Sequence, residues 1–254
     1  MLTVSRLGCA RGGCQILHDI NFRLEAGEVL AVLGTNGAGK STLLATLSGE
    51  LPPAEGEILL GGRALESWPA DERARRLAVL PQSSSLAFAF SVEEVVLLGR
   101  LPHASGREAD RRIAAEAMQA ADIEHLRQRS YLTLSGGERQ RVHLARVLAQ
   151  IWDSSEPACL LLDEPTASLD LAHQRLILQQ AQEIAQRGNA VLLVLHDLNL
   201  AARYADRLLL LDRGAVSALG SAWGVLEAER IKRVFGVEVQ VVPHPQLDCP
   251  LIIA

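Results

Sequence analysis

The chain has 254 residues, of which 48% are hydrophobic and 22% charged, and this composition excludes a disordered chain, a fibre and a coiled coil. Its formal net charge of −5 gives no electrostatic reason to expect nucleic acid or anionic lipid as a partner. The apolar runs are far shorter than the roughly 20 residues that a membrane span needs. We therefore expect one globular domain over residues 1–254.

The first third of the chain is predicted to consist mainly of strands. The run 28–33 is apolar and ends at Gly34, which is typical of a buried strand, and a helix is predicted over 40–48. Shorter runs at 57–60 and 77–80 predict two more strands. Aromatic residues are only 4% of the chain while Leu and Ala are abundant, which favours helices packed on an aliphatic sheet over a β-sandwich.

The middle of the chain has helical spacing and no strand pattern. Val92 and Val95, and further on Ile113 and Ala117, recur at helical intervals. We therefore predict a helical insertion over roughly residues 87–150.

Strands and helices alternate after this segment. Strands are predicted over 159–162, 190–195, 207–211, 238–242 and 251–253, and helices over 173–187, 198–204 and 226–234. This alternation implies a parallel sheet with crossover connections.

A glycine-rich loop lies between the predicted strand 28–33 and the predicted helix 40–48, and it matches the pattern GxxxxGK[ST]. The loop and the residue after it are Gly34, Thr35, Asn36, Gly37, Ala38, Gly39, Lys40, Ser41 and Thr42. Glycines let successive backbone N–H groups turn toward phosphate oxygens, and the helix N-terminus adds positive potential. We predict that Lys40 reaches the β- and γ-phosphates of a nucleotide and that the Ser41 hydroxyl binds Mg²⁺.

Two acidic residues follow the apolar run 159–162. A buried strand ending in Asp163 and Glu164 brings both carboxylates to the edge of the sheet where ligands bind in open α/β folds. We predict that Asp163 holds Mg²⁺ through water and that Glu164 polarises the attacking water as a general base. Without the phosphate loop, a solvated acidic pair at a strand end would be the simpler interpretation.

The segment 134–138, with the sequence LSGGE, begins another predicted helix. Ser135 followed three residues later by Glu138 has the spacing of a capping box, so the segment is explained equally well as a helix start. A cap does not require two glycines, however. Gly136 and Gly137 also allow another backbone or an anion to approach the helix N-terminus closely.

Together these motifs resemble the ATP-binding subunits of ABC transporters, and the resemblance covers nearly the whole chain. The family's order is the phosphate loop at 34–41, Gln82 after a strand, the signature at 134–138, Asp163 and Glu164, then Ser168, Leu169 and Asp170, and finally His196. The resemblance implies an α/β P-loop NTPase fold. Such a fold has a mostly parallel core sheet, an N-terminal antiparallel β region and a helical insertion.

The resemblance also assigns roles to the remaining motifs. Gln82 corresponds to the glutamine that contacts Mg²⁺ and water and senses the membrane partner, and His196 to the switch histidine near the γ-phosphate and Glu164. Asp170 corresponds to the aspartate that acts across the dimer interface, although it is equally well placed to cap a helix. In this family the signature closes over ATP held by a second copy, here through Ser135, Gly136, Gly137 and Glu138. ATP, Mg²⁺ and a second copy of the chain are therefore the implied partners.

The position that binds the adenine base departs from the family pattern. The family usually places an aromatic side chain there, whereas the register from Ile16 and Leu17 back through the glycines 12–13 places Arg11. Arginine can stack on a ring face, so Arg11 is the predicted adenine contact. A solvent-exposed loop arginine explains the position equally well.

Several stretches narrow the resemblance further. The segments 80–86, 92–103, 131–146, 234–238 and 244–245 are most similar to ATPases of the iron-chelate, cobalamin and haem importers, and within that group to those that import hemin. Such subunits work with two copies of a separate transmembrane permease and a periplasmic hemin-binding protein. They lie at the cytoplasmic face of the bacterial inner membrane. A ferric siderophore or cobalamin is the alternative cargo.

Overall fold

The computed structural model describes residues 1–82, 86–167 and 169–254. In them the strands are β1 Leu2–Arg11, β2 Cys14–Leu24, β3 Val29–Leu33, β4 Glu55–Leu60, β5 Arg63–Ala64, β6 Leu77–Leu80, β7 Cys159–Asp163, β8 Ala190–Val194, β9 Arg207–Asp212, β10 Ala215–Gly220, β11 Gln240–Pro243 and β12 Pro250–Ile253. The helices are α1 Lys40–Ser48, α2 Ala70–Arg76, α3 Val92–Leu97, α4 Arg107–Ala120, α5 Gly136–Ile151, α6 Leu171–Gln186, α7 Leu198–Tyr204, α8 Ala222–Val225 and α9 Ala228–Phe235. The α/β class is confirmed.

The central sheet of the described chain has the strand order β10-β9-β3-β8-β7-β6. Neighbouring strands from β9 to β6 run parallel, and β10 alone pairs antiparallel, with β9. The predicted mostly parallel core sheet is therefore confirmed. The predicted N-terminal antiparallel region is also confirmed, as a sheet in the order β2-β1-β4-β5.

Strand β3 shows how the two halves of the core share one sheet. Its five residues are all buried, as expected of a parallel strand covered on both faces. Val29, Ala31 and Leu33 point into the core that the helices cover, whereas Leu30 and Val32 point into the core shared with the antiparallel sheet. Packing on both faces fixes where the strand ends and hence where the phosphate loop begins.

The middle of the chain forms three helices, α3, α4 and α5, that contact one another. Two of them begin with a complete capping box, in which a serine accepts a hydrogen bond from a backbone N–H and a glutamate returns one. Short 3₁₀ turns at Leu98–Arg100, Glu124–Leu126 and Tyr131–Thr133 connect them. The limits of the insertion, 87–150, stay a prediction.

The C-terminal hairpin of β11 and β12 packs against α7. The Asn199 side chain on α7 donates to the carbonyl of Ile252 at 3.0 Å and accepts from its N–H at 2.8 Å. This pair of hydrogen bonds takes the place of a second strand neighbour for β12, which already pairs with β11. In the described ranges, no helix has the length and the apolar character that crossing a membrane requires.

Candidate active site

The candidate site lies where three neighbouring strands of the central sheet end. Gly34 follows β3, Asp163 closes β7, and His196 comes two residues after β8. In the sheet, β8 lies between β3 and β7. Because the carboxyl ends of parallel strands meet at one edge, the sheet brings these separate motifs together.

The phosphate loop needs glycine at two positions for steric reasons. Gly34 has φ +155°, and a Cβ there would lie 2.4 Å from the carbonyl oxygen of Leu211. Gly39 has φ +103°, and its Cβ would lie 2.8 Å from Leu17 Cδ2. At Gly37, apart from its neighbours in the chain, no atom of the described residues lies within 4 Å of the Cβ position, so this part of the loop surface is open.

Lys40 is folded back into the loop that precedes it. Its ammonium donates to the carbonyl oxygens of Gly34 at 2.7 Å and Thr35 at 3.0 Å. Burial lowers the pKa of Lys40, and the carboxylates of Glu164 and Asp163 offset this only in part. The loop therefore holds a desolvated donor at the point where a phosphate is predicted to bind.

Asp163 is a buried carboxylate with an unused oxygen. Burial and the neighbouring charge of Glu164 raise the pKa of Asp163, and Lys40 and His196 counteract this in part. Its Oδ1 has no hydrogen-bond partner among the described residues. Buried polar atoms are normally paired, so this oxygen is suited to a cation or an ordered water.

Glu164 brings together the three residues predicted to be catalytic. Its Oε2 accepts a hydrogen bond from Gln82 Nε2 at 2.7 Å, and its Oε1 lies 2.5 Å from His196 Nε2. Its backbone is left-handed, with φ +48°, and its N–H donates to the carbonyl of Val194 at 3.1 Å. A strained non-glycine residue of this kind persists only where its surroundings hold it, which here means the end of β8 and two side chains.

An open cleft of about 410 Å³ lies beside Asp163 and beside Gln82, the residue that donates to Glu164. Its lining includes Arg11, Ser41, Thr42, Gln82 and Asp163. The cleft thus joins the predicted metal ligands to the end of β1, where the exposed Arg11 stands. That Arg11 contacts a base stays a prediction.

The signature segment begins α5 and does not line this cleft. Ser135 accepts a hydrogen bond from the N–H of Glu138, whose carboxylate accepts from the Ser135 N–H at 2.7 Å and hydroxyl at 2.8 Å. These bonds lower the pKa of Glu138. Gly136 has open space at its Cβ position, whereas that of Gly137 faces Leu169. The capping interpretation is correct for this segment, and the open face of Gly136 leaves room for a second role.

Asp170 caps α6, as the sequence allowed. Its carboxylate accepts from the N–H of His173 at 2.9 Å and lies 2.8 Å from the ring Nδ1 of the same residue. Both hydrogen bonds lower the pKa of Asp170. Ser168, like the serines at 83–85, lies outside the described residues.

Two contacts at the site escaped the sequence analysis. One is the direct hydrogen bond from Gln82 to Glu164, which depends on the path of the loop after β6. The other is the contact of the His173 ring with the Asp170 carboxylate. The sequence could have indicated this contact, since a side chain three positions after an N-cap residue can reach back to it.

Comparison with known proteins agrees with this geometry. Residues 17–167 match the family model described as ABC transporter. The hemin import ATP-binding protein HmuV of Pseudomonas entomophila is 59% identical over 253 residues, which cover 100% of this chain and 99% of that protein. The HmuV protein of Pseudomonas aeruginosa is also 59% identical, over the full length of both chains.

A solved structure shares the fold over the same extent. It is an inward-facing structure of a metal-chelate type ABC transporter, which superposes with a TM-score of 0.81 at 31% identity. The alignment covers 99% of this chain and 96% of that one. The sequence, the fold and the grouping of Lys40, Asp163 and Glu164 all match this family. The chain therefore belongs to the ABC transporter family, as an ATP-binding subunit.

Proposed function

We propose that this chain is the ATPase of a bacterial importer of hemin. Its partners are a second copy of itself, two copies of a transmembrane permease and, through that complex, a periplasmic hemin-binding protein. It works at the cytoplasmic face of the inner membrane. The hemin assignment is supported by the names of relatives that are 59% identical over the whole chain.

The observation that carries the ATPase proposal is the arrangement around Glu164. Its carboxylate is held from both sides, by the Gln82 amide and the His196 ring, beside the cleft that Ser41 and Asp163 line. A carboxylate held at a phosphate site is suited to accept a proton from water as the water attacks phosphorus. A purely binding module has no need of such a group.

The residues of the chain divide the work as follows. The 34–39 backbone cradles the phosphates while the Lys40 ammonium exchanges its loop carbonyls for phosphate oxygens. Glu164 accepts the proton of the attacking water. His196 orients the carboxylate and contacts the γ-phosphoryl group that is transferred to water, and Gln82 releases its hydrogen bond to contact the water. Positioning and electrostatic stabilisation account for most of the rate in such phosphoryl transfers.

Mg²⁺ is the metal expected with ATP, and the residues present suit it. Mg²⁺ prefers one or two carboxylates together with waters and phosphate oxygens, and the unpaired, buried Asp163 Oδ1 is such a ligand. Asp163, the Ser41 hydroxyl and Gln82 would hold it. When bound, the ion neutralises charge on the transferring phosphoryl group.

The signature provides the second half of each site. The 135–138 segment does not line its own chain's cleft, so it is free to contact ATP held by a second copy, with Asp170 beside it at the interface. Two ATP molecules between two chains then drive closure, because each is contacted from both sides. Hydrolysis removes the γ-phosphate contact, the dimer opens, and the permease follows that motion.

Replacing Lys40 tests the phosphate site. Lys40→Ala removes the ammonium that the loop buries, and we expect ATP affinity to fall by at least about 100-fold, or roughly 2.7 kcal/mol. Isothermal titration with ATP and Mg²⁺ measures this. Lys232→Ala is the matched control, because that lysine is exposed and pairs with Glu238 on the surface. Unchanged affinity in Lys40→Ala would remove the phosphate-loop role.

Growth of the source bacterium tests the cargo. An iron-starved strain carrying chromosomal Lys40→Ala should fail with hemin as its sole iron source and grow normally on a ferric siderophore, whereas Lys232→Ala should grow on both. Failure on the siderophore alone would keep the ATPase and replace hemin with a siderophore. Normal growth of Lys40→Ala on both sources would leave cobalamin as the cargo or a second, redundant importer, and the hemin assignment would be withdrawn.

A further inference from the structure

A buried polar pair lies in the apolar interior of the helical region. The Tyr131 hydroxyl and His143 Nε2 are 2.8 Å apart, and the two residues are only 1% and 3% exposed. Their rings pack edge to face, with centroids 5.4 Å apart. Val142 and Leu144, the neighbours of His143 on α5, belong to the hydrophobic core. Polar groups are costly in such surroundings unless they are hydrogen-bonded, and once bonded they favour one arrangement of the core.

The signature lies between the two members of this pair in the chain. Tyr131 begins the 3₁₀ turn that leads to Ser135, the N-cap of α5, and His143 follows the signature on the same helix. The hydrogen bond therefore closes a loop of chain that contains the whole signature. Because a hydrogen bond is directional, it fixes the orientation of α5 relative to the turn more sharply than apolar contact does.

The same turn is held by two further contacts of Tyr131. Its backbone N–H donates to the carbonyl of Phe90, just before α3, at 2.8 Å. The guanidinium of Arg139, near the start of α5, lies over its ring at 5.4 Å from the centroid. Arg139 also donates to the carbonyl of Leu132 at 2.7 Å. Tyr131 thus joins the entrance of α3, the turn and the first part of α5.

The pair is separate from the cleft of its own chain. That cleft is lined by Ser41, Gln82 and Asp163 among others, and by neither Tyr131 nor His143. A change confined to the pair can therefore alter the signature without altering the chain's own phosphate site. This separation makes the two effects measurable one at a time.

We propose that Tyr131 and His143 are positioning residues for the signature, and that their hydrogen bond sets the direction in which α5 presents Ser135 and Gly136 to ATP on a second copy. The inference rests on the proposed function, in which the signature completes the ATP site of the other chain. Neither side chain reaches the nucleotide, because both are buried within their own chain. Loss of the hydrogen bond weakens the ATP-bound dimer and leaves the chain's own phosphate site intact.

The experiment uses full-length proteins that carry Glu164→Gln, so that ATP is not consumed, and the protein with this change alone is the parent. Tyr131→Phe keeps the ring and removes the hydroxyl, whereas His143→Leu removes the ring nitrogens. His143→Gln is the conservative variant, because its amide can hydrogen-bond to the hydroxyl. Tyr204→Phe is the matched control, since Tyr204 is also a buried tyrosine with an arginine over its ring.

Two binding measurements separate the two halves of the site. Sedimentation velocity with Mg²⁺ and ATP gives the dissociation constant of the dimer, which depends on the signature. Isothermal titration with ADP gives the affinity of the chain's own phosphate site. Urea unfolding shows that each variant is folded.

The expected result is a loss of dimerisation with normal nucleotide affinity. Tyr131→Phe and His143→Leu should each raise the dimer Kd at least about tenfold, because each dimer contains two altered signatures. ADP affinity should stay within about twofold of the parent. The double variant should be no weaker than either single variant, because both changes remove the same hydrogen bond. His143→Gln and Tyr204→Phe should both dimerise within about threefold of the parent.

Four results would overturn the inference. One is a Tyr131→Phe protein that dimerises as tightly as the parent. The second is an equal loss in Tyr204→Phe, which would reduce the effect to general packing. The third is a parallel loss of ADP affinity in Tyr131→Phe, which would place the effect in the chain's own site. The fourth is a double variant in which the two losses multiply, which would show that the side chains act separately.

Failure of the proposed function gives a different result. A parent protein that binds ADP but does not dimerise with ATP would refute the two-chain arrangement, and the inference with it.

Discussion

Arg100 is the most completely paired charged group among the described residues, and its removal should destabilise the helical region strongly. Only 2% of its side chain is exposed. Its guanidinium donates to Asp110 at 3.0 Å, Asp153 at 2.7 Å, the Ala149 carbonyl at 2.7 Å and the Ser105 hydroxyl at 2.9 Å. These partners join the turn after α3 to the start of α4 and the end of α5. We predict that Arg100→Ala loosens that junction.

The expected loss of unfolding free energy in Arg100→Ala follows from how deeply each of the two carboxylates is buried. Asp110 is 20% exposed, so losing its partner costs about 3 kcal/mol, the lower part of the range for a broken buried pair. Asp153 is 40% exposed, so solvent screening limits its share to about 1 kcal/mol or less. We therefore expect Arg100→Ala to lower the free energy of unfolding by about 3 to 4 kcal/mol at neutral pH.

The loss of stability caused by Arg100→Ala should also depend on pH. Burial raises the pKa of Asp110 and of Asp153. The Ser105 hydroxyl on Asp110, together with hydrogen bonds and charge from Arg100 on both carboxylates, outweighs burial and holds both pKa values below their usual range. The stability they contribute is present above their unfolded pKa and lost as pH falls through the folded pKa. The difference between wild type and Arg100→Ala should therefore shrink in acid.

Equilibrium urea unfolding at neutral pH and near pH 4 measures both effects. Arg100→Lys is the matched variant, since it keeps the charge but cannot make the forked contacts, and it should fall between the other two. A stability difference between wild type and Arg100→Ala below about 1 kcal/mol at neutral pH, within the range of an exposed ion pair, would refute the reasoning. A stability difference that grows in acid would refute it as well.

Three further predictions concern single positions. Gly99→Ala should destabilise the fold by about 3 kcal/mol in urea unfolding, because its Cβ would lie 2.1 Å from the carbonyl oxygen of Arg146 on α5. A decrease in the free energy of unfolding below about 1 kcal/mol would show that the helices separate easily. Ser135→Ala should cost about 1 kcal/mol in thermal unfolding through the lost cap, and Ser135→Thr should restore it. Asp163→Asn should raise the unfolding free energy in magnesium-free buffer, because the raised pKa of Asp163 means that its buried charge opposes folding at neutral pH. The same variant should lose ATP hydrolysis. Lower stability together with normal turnover would contradict both expectations.

The parts of the fold that sequence analysis predicted best are those bounded by strong local signals. The helix α1 matches its predicted bounds because the phosphate loop and Gly49 delimit it, and the strand β6 matches because four apolar residues follow an arginine-rich helix end. The strand β10 was not predicted. None of its six residues is fully buried, Val216 and Leu219 pack only partly on the core, and the strand is held by pairing with the edge of β9.

The sequence predicted which residues form the site, but it did not predict which of their side chains contact one another. Asp163, Glu164 and His196 could be placed together because each follows a strand of one parallel sheet. The Gln82 contact with Glu164, and the packing of Leu169 on Gly137, depend on loop paths that no periodicity encodes. Local patterns fixed which residues stand at the sheet edge, and tertiary packing decided which of them touch.

The behaviour of Glu164→Gln tests the central claim most directly, namely that Glu164 activates water against bound ATP. The amide is close to the carboxylate in size and still accepts a hydrogen bond, but it cannot take a proton. Single-turnover hydrolysis and size-exclusion chromatography with Mg²⁺ and ATP give the readout, with the exposed Glu183→Gln on α6 as control. The account predicts that Glu164→Gln binds ATP as wild type does, elutes as a dimer with intact ATP, and turns over at least about 100-fold more slowly. Hydrolysis by Glu164→Gln at nearly the wild-type rate would contradict it.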